Sequence, residues 1–243
     1  MSEREDLLII AHRGASADHA ENTRDAFLGA ANQGADWVEL DVRMARDGGL
    51  IVHHDAWYHD QRTVWSTPTE ERPRGVLTLE EALDACREAR PMGVNVEIKN
   101  LPDDLGGPEV PHSLEVVDMV VDLLARRTGS GISEDILVSS FHPPSIDRVR
   151  RLGGPPTGQL VLSLRDWPDV VDSTSRRGHR AVHPHDHLVD PVFVGAAGRA
   201  GLDVNVWTVD DARRIRELAS LGVTGVVTNV PAVAREALGA GPG

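Results

Sequence analysis

The chain contains one lysine, Lys99, against 24 arginines. It ends the run Val94-Asn95-Val96-Glu97-Ile98-Lys99, so on a β-strand its side chain shares a face with the Glu97 carboxylate two residues earlier. An ammonium is a compact point charge and a guanidinium a planar fork, and a site that accepts only the first keeps its lysine. The alternative is a lysine that escaped by chance. A second i, i+2 pair, Glu39 and Asp41 in Trp37-Val38-Glu39-Leu40-Asp41-Val42, also shares one face. Three carboxylates brought together in a low-dielectric place repel, and some stay protonated unless a cation joins them. A hard divalent ion with oxygen ligands answers this, so Glu39, Asp41 and Glu97 are the candidate ligands of one Mg²⁺ or Ca²⁺, and zinc fits less well. A salt-bridged interior, with Arg13 and Lys99 compensating the acids, is the competing reading. His12 and His54 are candidates for a general acid and base, and Arg13 and Lys99 for holding an oxyanion. Metal, two cations and two imidazoles suit phosphoryl transfer.

Other polar residues give weaker signals. His53 alternates to the face opposite His54 and is expected to be structural. His183, His185 and His187 surround Asp186 in what reads as a solvated loop with poor metal-ligand spacing. Ser139-Ser140-Phe141-His142 ends a strand without a glycine-flanked elbow, and no glycine-rich loop precedes a lysine, so neither a hydrolase serine nor nucleotide binding is supported.

The elements that must position these side chains alternate along the whole chain. Strands are predicted at Leu7–Ala11, Trp37–Val42, Val94–Ile98, Ile136–Ser139, Thr157–Leu162, Ala181–His183, Val204–Val209 and Gly225–Thr228. Helices are predicted at Thr23–Gln33, Leu79–Ala89, Ser113–Arg126, Ser145–Leu152, Pro191–Ala200, Ala212–Leu221 and Ala232–Leu238. Thr78 followed by Glu81, and Asp210-Asp211 before Ala212, are N-terminal caps. Eight strands alternating with about eight helices read as an α/β protein, a (β/α)₈ TIM barrel in a single domain over residues 1–243, with a doubly wound sheet as runner-up. The stretch between Val42 and Leu50, built around Asp47-Gly48, is too short for a parallel crossover. Leu50–His54 should therefore return antiparallel beside the second strand as an extra element, with His54 roughly opposite Asp41. Barrel active sites lie at strand C-termini, where His12, Arg13, Glu39, Asp41, Glu97, Lys99, Ser139, Ser140, His183, Trp207 and Asn229 all fall.

Composition narrows the class. A formal net charge of −13 argues against nucleic acid and anionic membranes as partners, though not against a small anionic substrate. Cys86 alone excludes a disulfide framework. The charged start Met1-Ser2-Glu3-Arg4-Glu5-Asp6 is not a signal peptide and no apolar run is long enough to span a bilayer, so a cytoplasmic location is expected. Oligomeric state is left open.

Taken together these motifs resemble the glycerophosphodiester phosphodiesterase family. The match runs through His12-Arg13-Gly14, Glu21-Asn22-Thr23, Gly34-Ala35-Asp36, Glu39-Leu40-Asp41-Val42, Asp47-Gly48, His54-Asp55, Thr78-Leu79-Glu80-Glu81, Glu97-Ile98-Lys99, Ser139-Ser140-Phe141, Val206-Trp207-Thr208-Val209 and Gly222 to Asn229. The resemblance implies a metal-dependent barrel hydrolase that cleaves glycerophosphodiesters to an alcohol and sn-glycerol 3-phosphate, with metal ligands at Glu39, Asp41 and Glu97, a catalytic histidine pair at His12 and His54, and phosphate contacts at Arg13 and Lys99. It further implies that Trp207 borders the glycerol, and that a glycerol hydroxyl attacks phosphorus to give a cyclic phosphate opened by water. A cyclic-phosphate-forming or lysophospholipase D-like enzyme, and a non-catalytic metabolite-binding barrel, are the alternatives. Ala20 replaces the family's usual proline, and Asn229 its usual aspartate, the latter expected to alter only a loop contact. The family's insertion after His-Asp is shortened to Ala56–Leu77, which implies a short lid and a more open mouth, with Trp57, Tyr58 and Trp65 expected to pack the lid and binding of an alcohol headgroup as the alternative.

Overall fold

The computed structural model describes residues 7–88, 90–101, 114–128, 135–163 and 167–239. Eight parallel strands close into a barrel: β1 (Leu8–His12), β2 (Trp37–Met44), β4 (Gly93–Ile98), β5 (Ile136–Ser140), β6 (Thr157–Val161), β7 (Ala181–Pro184), β8 (Asp203–Val206) and β9 (Gly225–Thr228). β1 pairs with both β2 and β9, which closes the ring. β3 (Leu50–Val52) lies outside it, antiparallel on β2. The helices are α1 (Arg24–Asn32), α2 (Leu79–Glu88), α3 (Glu115–Thr128), α4 (Pro143–Arg151), α5 (Trp167–Arg176), α6 (Pro191–Arg199), α7 (Ala212–Leu221) and α8 (Pro231–Ala237). Helix α5 is absent from the sequence expectation. Ser113 and Ala89, at two predicted helix ends, lie outside the described residues.

Alternation along the strands divides the apolar and polar residues. Ile9, Ala11, Val38, Leu40, Val42, Val94, Val96 and Ile98 are buried in the main core, which includes Phe27, Leu79, Leu83 and Val120 from the helices. Their neighbours on the same strands, including Glu39, Asp41, Asn95 and Glu97, therefore face the barrel interior. At about 25 cal/mol per Å² of apolar surface, the helix–strand layer supplies the main driving force, leaving the interior free to hold polar groups. The expected caps form. Thr78 Oγ1 accepts from the Glu81 amide while Glu81 accepts from the Thr78 amide, and Asp211 accepts from the amides of Arg213 and Arg214. Gly93 is required by packing, because a Cβ there would lie 2.2 Å from the Trp37 ring.

Tyr58 and Val64 of the lid form a second small core with Ala45 and with Ile51 of β3. Tyr58 packs as expected, with the His53 ring stacked on it at 5.1 Å. Trp57 does not pack inward: it is 45% exposed, with Trp65 edge-on at 5.7 Å. The strand predicted at Val204–Val209 stops at Val206, before Trp207. The hairpin register also differs by one residue. Val42 pairs with Val52, and the His53 amide donates to the Asp41 carbonyl, so His53 stands opposite Asp41 and His54 begins the loop beyond.

Candidate active site

Strand register assembles the site. His12 pairs with Glu39, Glu39 with Asn95, Asp41 with Glu97, and Glu97 with Ser139, so adjacent strands deliver these side chains at neighbouring heights. They meet in a cavity of about 230 Å³ at the C-terminal end of the barrel, lined by His12, Arg13, Glu39, His54, Asn95, Glu97, Lys99, Phe141, Leu160, His183, Trp207 and Val227. Seven of the eight residues selected from the sequence line it. Asp41, the eighth, is fully buried behind the wall and reaches the same cluster.

The turn after β1 is locally strained. Arg13 has φ +56° and Gly14 φ +87°, both in the left-handed region. A Cβ on Gly14 would sit 2.6 Å from the backbone of Ala26, so only glycine lets the chain pass α1 here. The Arg13 amide donates to the Glu39 carbonyl at 2.9 Å, and the guanidinium reaches Asp41 at 3.2 Å and Glu21 at 2.9 Å.

Ligand-capable oxygens of Glu39, Asp41 and Glu97 lie within 4.8 Å of one another. Lys99 Nζ is 2.7 Å from Glu97 and 3.4 Å from Asp41, and Asn22 Nδ2 donates to Asp41 at 2.9 Å. Burial pushes the Asp41 carboxyl up, but Lys99 and Arg13 outweigh it and hold it at about 2. Burial raises Glu97 to about 7 in spite of Lys99. Burial, together with Asp41 and Glu97 beside it, raises Glu39 well above the usual carboxylate range. Burial opposes the Lys99 charge, but Glu97 and Asp41 prevail and its pKa is raised. The two cations thus fall short of compensating three acids, and Glu39 Oε1 is buried with no hydrogen-bond partner. An oxygen-only set with a deficit of positive charge and an orphaned carboxylate oxygen fits a hard divalent cation, and weakens the reading of a fully salt-bridged interior.

The histidines have different settings. His12 Nδ1 is 2.7 Å from Asn229 Oδ1, and its Nε2 is 4.0 Å from Glu39. Burial and the neighbouring Arg13 lower its pKa. His54 Nδ1 lies 2.8 Å from Asp55 Oδ1, and its carbonyl accepts from the Arg43 guanidinium at 2.9 Å. Asn229 therefore does more than alter a loop contact: it touches His12 directly. The grouping of His183 with a solvated loop is also corrected. His183 is a fully buried residue of β7, its pKa lowered to about 4 by burial, with Asn205 Nδ2 3.1 Å from Nε2. His185 and His187 pair with each other outside the cavity, the His185 ring edge-on to Trp207. Trp207 donates to the His183 carbonyl at 2.7 Å and meets Phe141 edge-on at 5.5 Å. The sequence reading assigned no role to Asn22 or Arg43. Arg43 continues the inward alternation Glu39, Asp41, Arg43, the one signal that pointed to it.

A (β/α)₈ barrel that gathers acids, fixed cations and imidazoles at its C-terminal mouth belongs among the barrels suited to handling phosphate esters. Comparison with known proteins narrows this class. The profile of the glycerophosphoryl diester phosphodiesterase family matches residues 12–233, and the chain belongs to that family. It is 29% identical over 251 residues to a glycerophosphodiester phosphodiesterase of Caldanaerobacter subterraneus subsp. tengcongensis, covering 92% of this chain and 94% of that one. It is 28% identical over 254 residues to a glycerophosphodiester phosphodiesterase of Bacillus subtilis, covering 93% and 84%. Among solved structures, a glycerophosphodiester phosphodiesterase of Thermotoga maritima superposes with a TM-score of 0.78 at 22% identity, covering 96% of this chain and 99% of that one. An Oleispira antarctica phosphodiesterase in complex with the product sn-glycerol-3-phosphate superposes with a TM-score of 0.83 at 23% identity, covering 96% of both chains.

Proposed function

We propose that this chain hydrolyses glycerophosphodiesters to an alcohol and sn-glycerol 3-phosphate, in a divalent-metal-dependent reaction with His12 and His54 as the acid–base pair. The observation that carries this reading is the convergence of three buried carboxylates, Arg13, Lys99 and both imidazoles on one cavity. Family membership supports it independently. Glu39, Asp41 and Glu97 would hold the cation, Mg²⁺ or Ca²⁺, which supplies Lewis acidity and positive charge at the phosphoryl oxygens.

The protein's own groups account for the remaining steps. Arg13, anchored by Asp41 and Glu21, and Lys99, anchored by Glu97, oppose the charge on the non-bridging oxygens. His12 is neutral near pH 7 by virtue of its lowered pKa, and with Nδ1–H given to Asn229 it has a lone pair on Nε2. That nitrogen takes the proton of the glycerol hydroxyl adjacent to the phosphodiester. The oxygen so released forms a bond to phosphorus as the bond to the alcohol breaks. His54, which forms an ion pair with Asp55 when protonated, gives its proton to the departing alkoxide. Water then opens the cyclic phosphate with the two roles reversed, leaving sn-glycerol 3-phosphate. Trp207 and Phe141, braced edge-on, offer an apolar wall to the glycerol carbons.

The test is release of glycerol 3-phosphate from glycerophosphocholine by the purified protein with EDTA, with Mg²⁺ and with Ca²⁺. Metal-dependent release is expected. Silence with every metal, repeated on glycerophosphoethanolamine and glycerophosphoinositol, would overturn the proposed substrate class. Persistence of the cyclic phosphate would instead define a lyase.

A further inference from the structure

Asp210 lies outside the cavity, in the loop between β8 and α7, yet it is tied to the site by a continuous set of short contacts. Its Oδ1 accepts from the Asn229 amide at 2.8 Å and from Thr228 Oγ1 at 3.0 Å. Its Oδ2 accepts from Asn229 Nδ2 at 2.7 Å. On the far side of the same amide, Asn229 Oδ1 accepts from Ser16 Oγ at 2.9 Å and faces His12 Nδ1 at 2.7 Å.

These contacts fix a choice that an isolated asparagine leaves free. A carboxylate only accepts hydrogen bonds, so the end of the Asn229 side chain facing Asp210 must be the NH₂ group. The carbonyl end therefore points at His12, and a carbonyl oxygen can only accept. The hydrogen on the neutral His12 ring must then sit on Nδ1, which leaves the lone pair on Nε2. Without Asp210 the amide could turn over and present NH₂ to the ring, a geometry that holds the opposite tautomer and puts the hydrogen on the nitrogen meant to accept one.

We propose that Asp210 is a positioning residue that, through Asn229, locks His12 in the Nδ1–H tautomer required for it to take a proton at Nε2. The lock rests on the proposed function for its catalytic meaning, but it can be read without turnover. Asn229 and Asp210 also need opposite chemistry. An aspartate at 229 beside Asp210 would bring two carboxylates to 2.7 Å, whereas exchanging the two types keeps one donor and one acceptor at that contact.

The experiment uses the full chain as parent, Asp210→Asn, Asn229→Asp and the exchanged double variant D210N/N229D. Long-range ¹⁵N–¹H spectra of labelled histidine give the His12 tautomer directly, and steady-state kinetics on glycerophosphocholine give kcat and KM. The parent should show Nδ1–H alone. D210N should show mixed tautomers and a kcat lower by at least about tenfold, a fraction of the range general-base catalysis contributes, with KM within about twofold. N229D should be impaired, and the double variant should regain the Nδ1–H signature and most of the lost kcat. An unchanged His12 tautomer in D210N, or a double variant no better than the singles, would overturn the lock. A shifted tautomer with unchanged kcat would leave the lock standing and remove His12 from the proposed base role.

Discussion

Replacing Lys99 by arginine keeps the charge and should still disable the enzyme. The ammonium sits 2.7 Å from Glu97 Oε1 and 3.4 Å from Asp41 Oδ1, with the Phe141 ring centroid 5.8 Å away. The pocket around it is nearly closed to solvent. A guanidinium brings five N–H donors in a rigid plane in place of three on a compact head. Two carboxylate oxygens cannot serve that fork in the same space, so either donors stay unpaired, at about 1–3 kcal/mol for a buried group, or the head moves. Displacement by about 1 Å at a reacting centre costs on the order of 10²-fold in rate. The two routes together span a loss of about 1–3 kcal/mol of transition-state stabilisation, or roughly 5- to 150-fold in kcat/KM. The assay is glycerol 3-phosphate release at saturating metal, with a thermal melt to establish that K99R is folded. A folded K99R with kcat/KM within about threefold of the parent would refute the argument that this position needs a point charge.

Other perturbations test separate parts of the site. Raised folded-state pKa values at Glu39 and Glu97 mean that the metal-free site binds protons more tightly than the unfolded chain does, so its contribution to stability is present at low pH and fades as pH rises toward about 7. A divalent cation should therefore raise Tm more at pH 7.5 than at pH 5.5, and calorimetry at pH 6 in buffers of different ionisation enthalpy should record proton release. A buffer-independent binding enthalpy would count against the triad as ligand. His54→Ala should reduce kcat by about 10²- to 10⁴-fold in the same release assay, the span of general acid–base catalysis, and an unchanged turnover would remove His54 from the mechanism. Gly14→Ala should destabilise by about 2–4 kcal/mol in urea unfolding, from a Cβ placed 2.6 Å from Ala26 and a left-handed φ, and a loss below about 0.5 kcal/mol would contradict the strain.

Period-two alternation and the positions of carboxylates and cations made most of this molecule legible before its structure. Glu39/Asp41 and Glu97/Lys99 declare their shared faces by spacing alone, and parallel register then brings the two strands level. The antiparallel β3 followed from the short Asp47-Gly48 connection, but its exact pairing did not, because nothing local distinguishes His53 from His54 opposite Asp41. Helix α5 went unpredicted. Polar residues such as Ser173, Thr174 and Ser175 interrupt its apolar pattern. Asn22, Arg43 and Asn229 were harder still. Each acts through hydrogen bonds that include one to a residue 11 to 217 positions away, and such contacts have no periodicity. His183 carried two conflicting signals, the end of a predicted strand and a histidine cluster that reads as a solvated loop, and strand β7 carries it into the interior while His185 and His187 pair outside.

The charge balance explains how a chain with net charge −13 can suit an anionic substrate. Three carboxylates against Arg13 and Lys99 leave the cluster one unit negative when all are ionised, which would repel a phosphodiester. The raised pKa values of Glu39 and Glu97 show how the protein meets that deficit on its own, by holding protons. On the proposed reading a divalent cation takes the place of those protons and keeps the cluster one unit positive with all three acids ionised, at the depth where the phosphate would lie. Substrate attraction and metal dependence then become one property. Any substitution that neutralises Glu39 or Glu97 should weaken metal binding and substrate binding together, while the distant surface acids, screened within about 10 Å at ordinary ionic strength, have little influence on either.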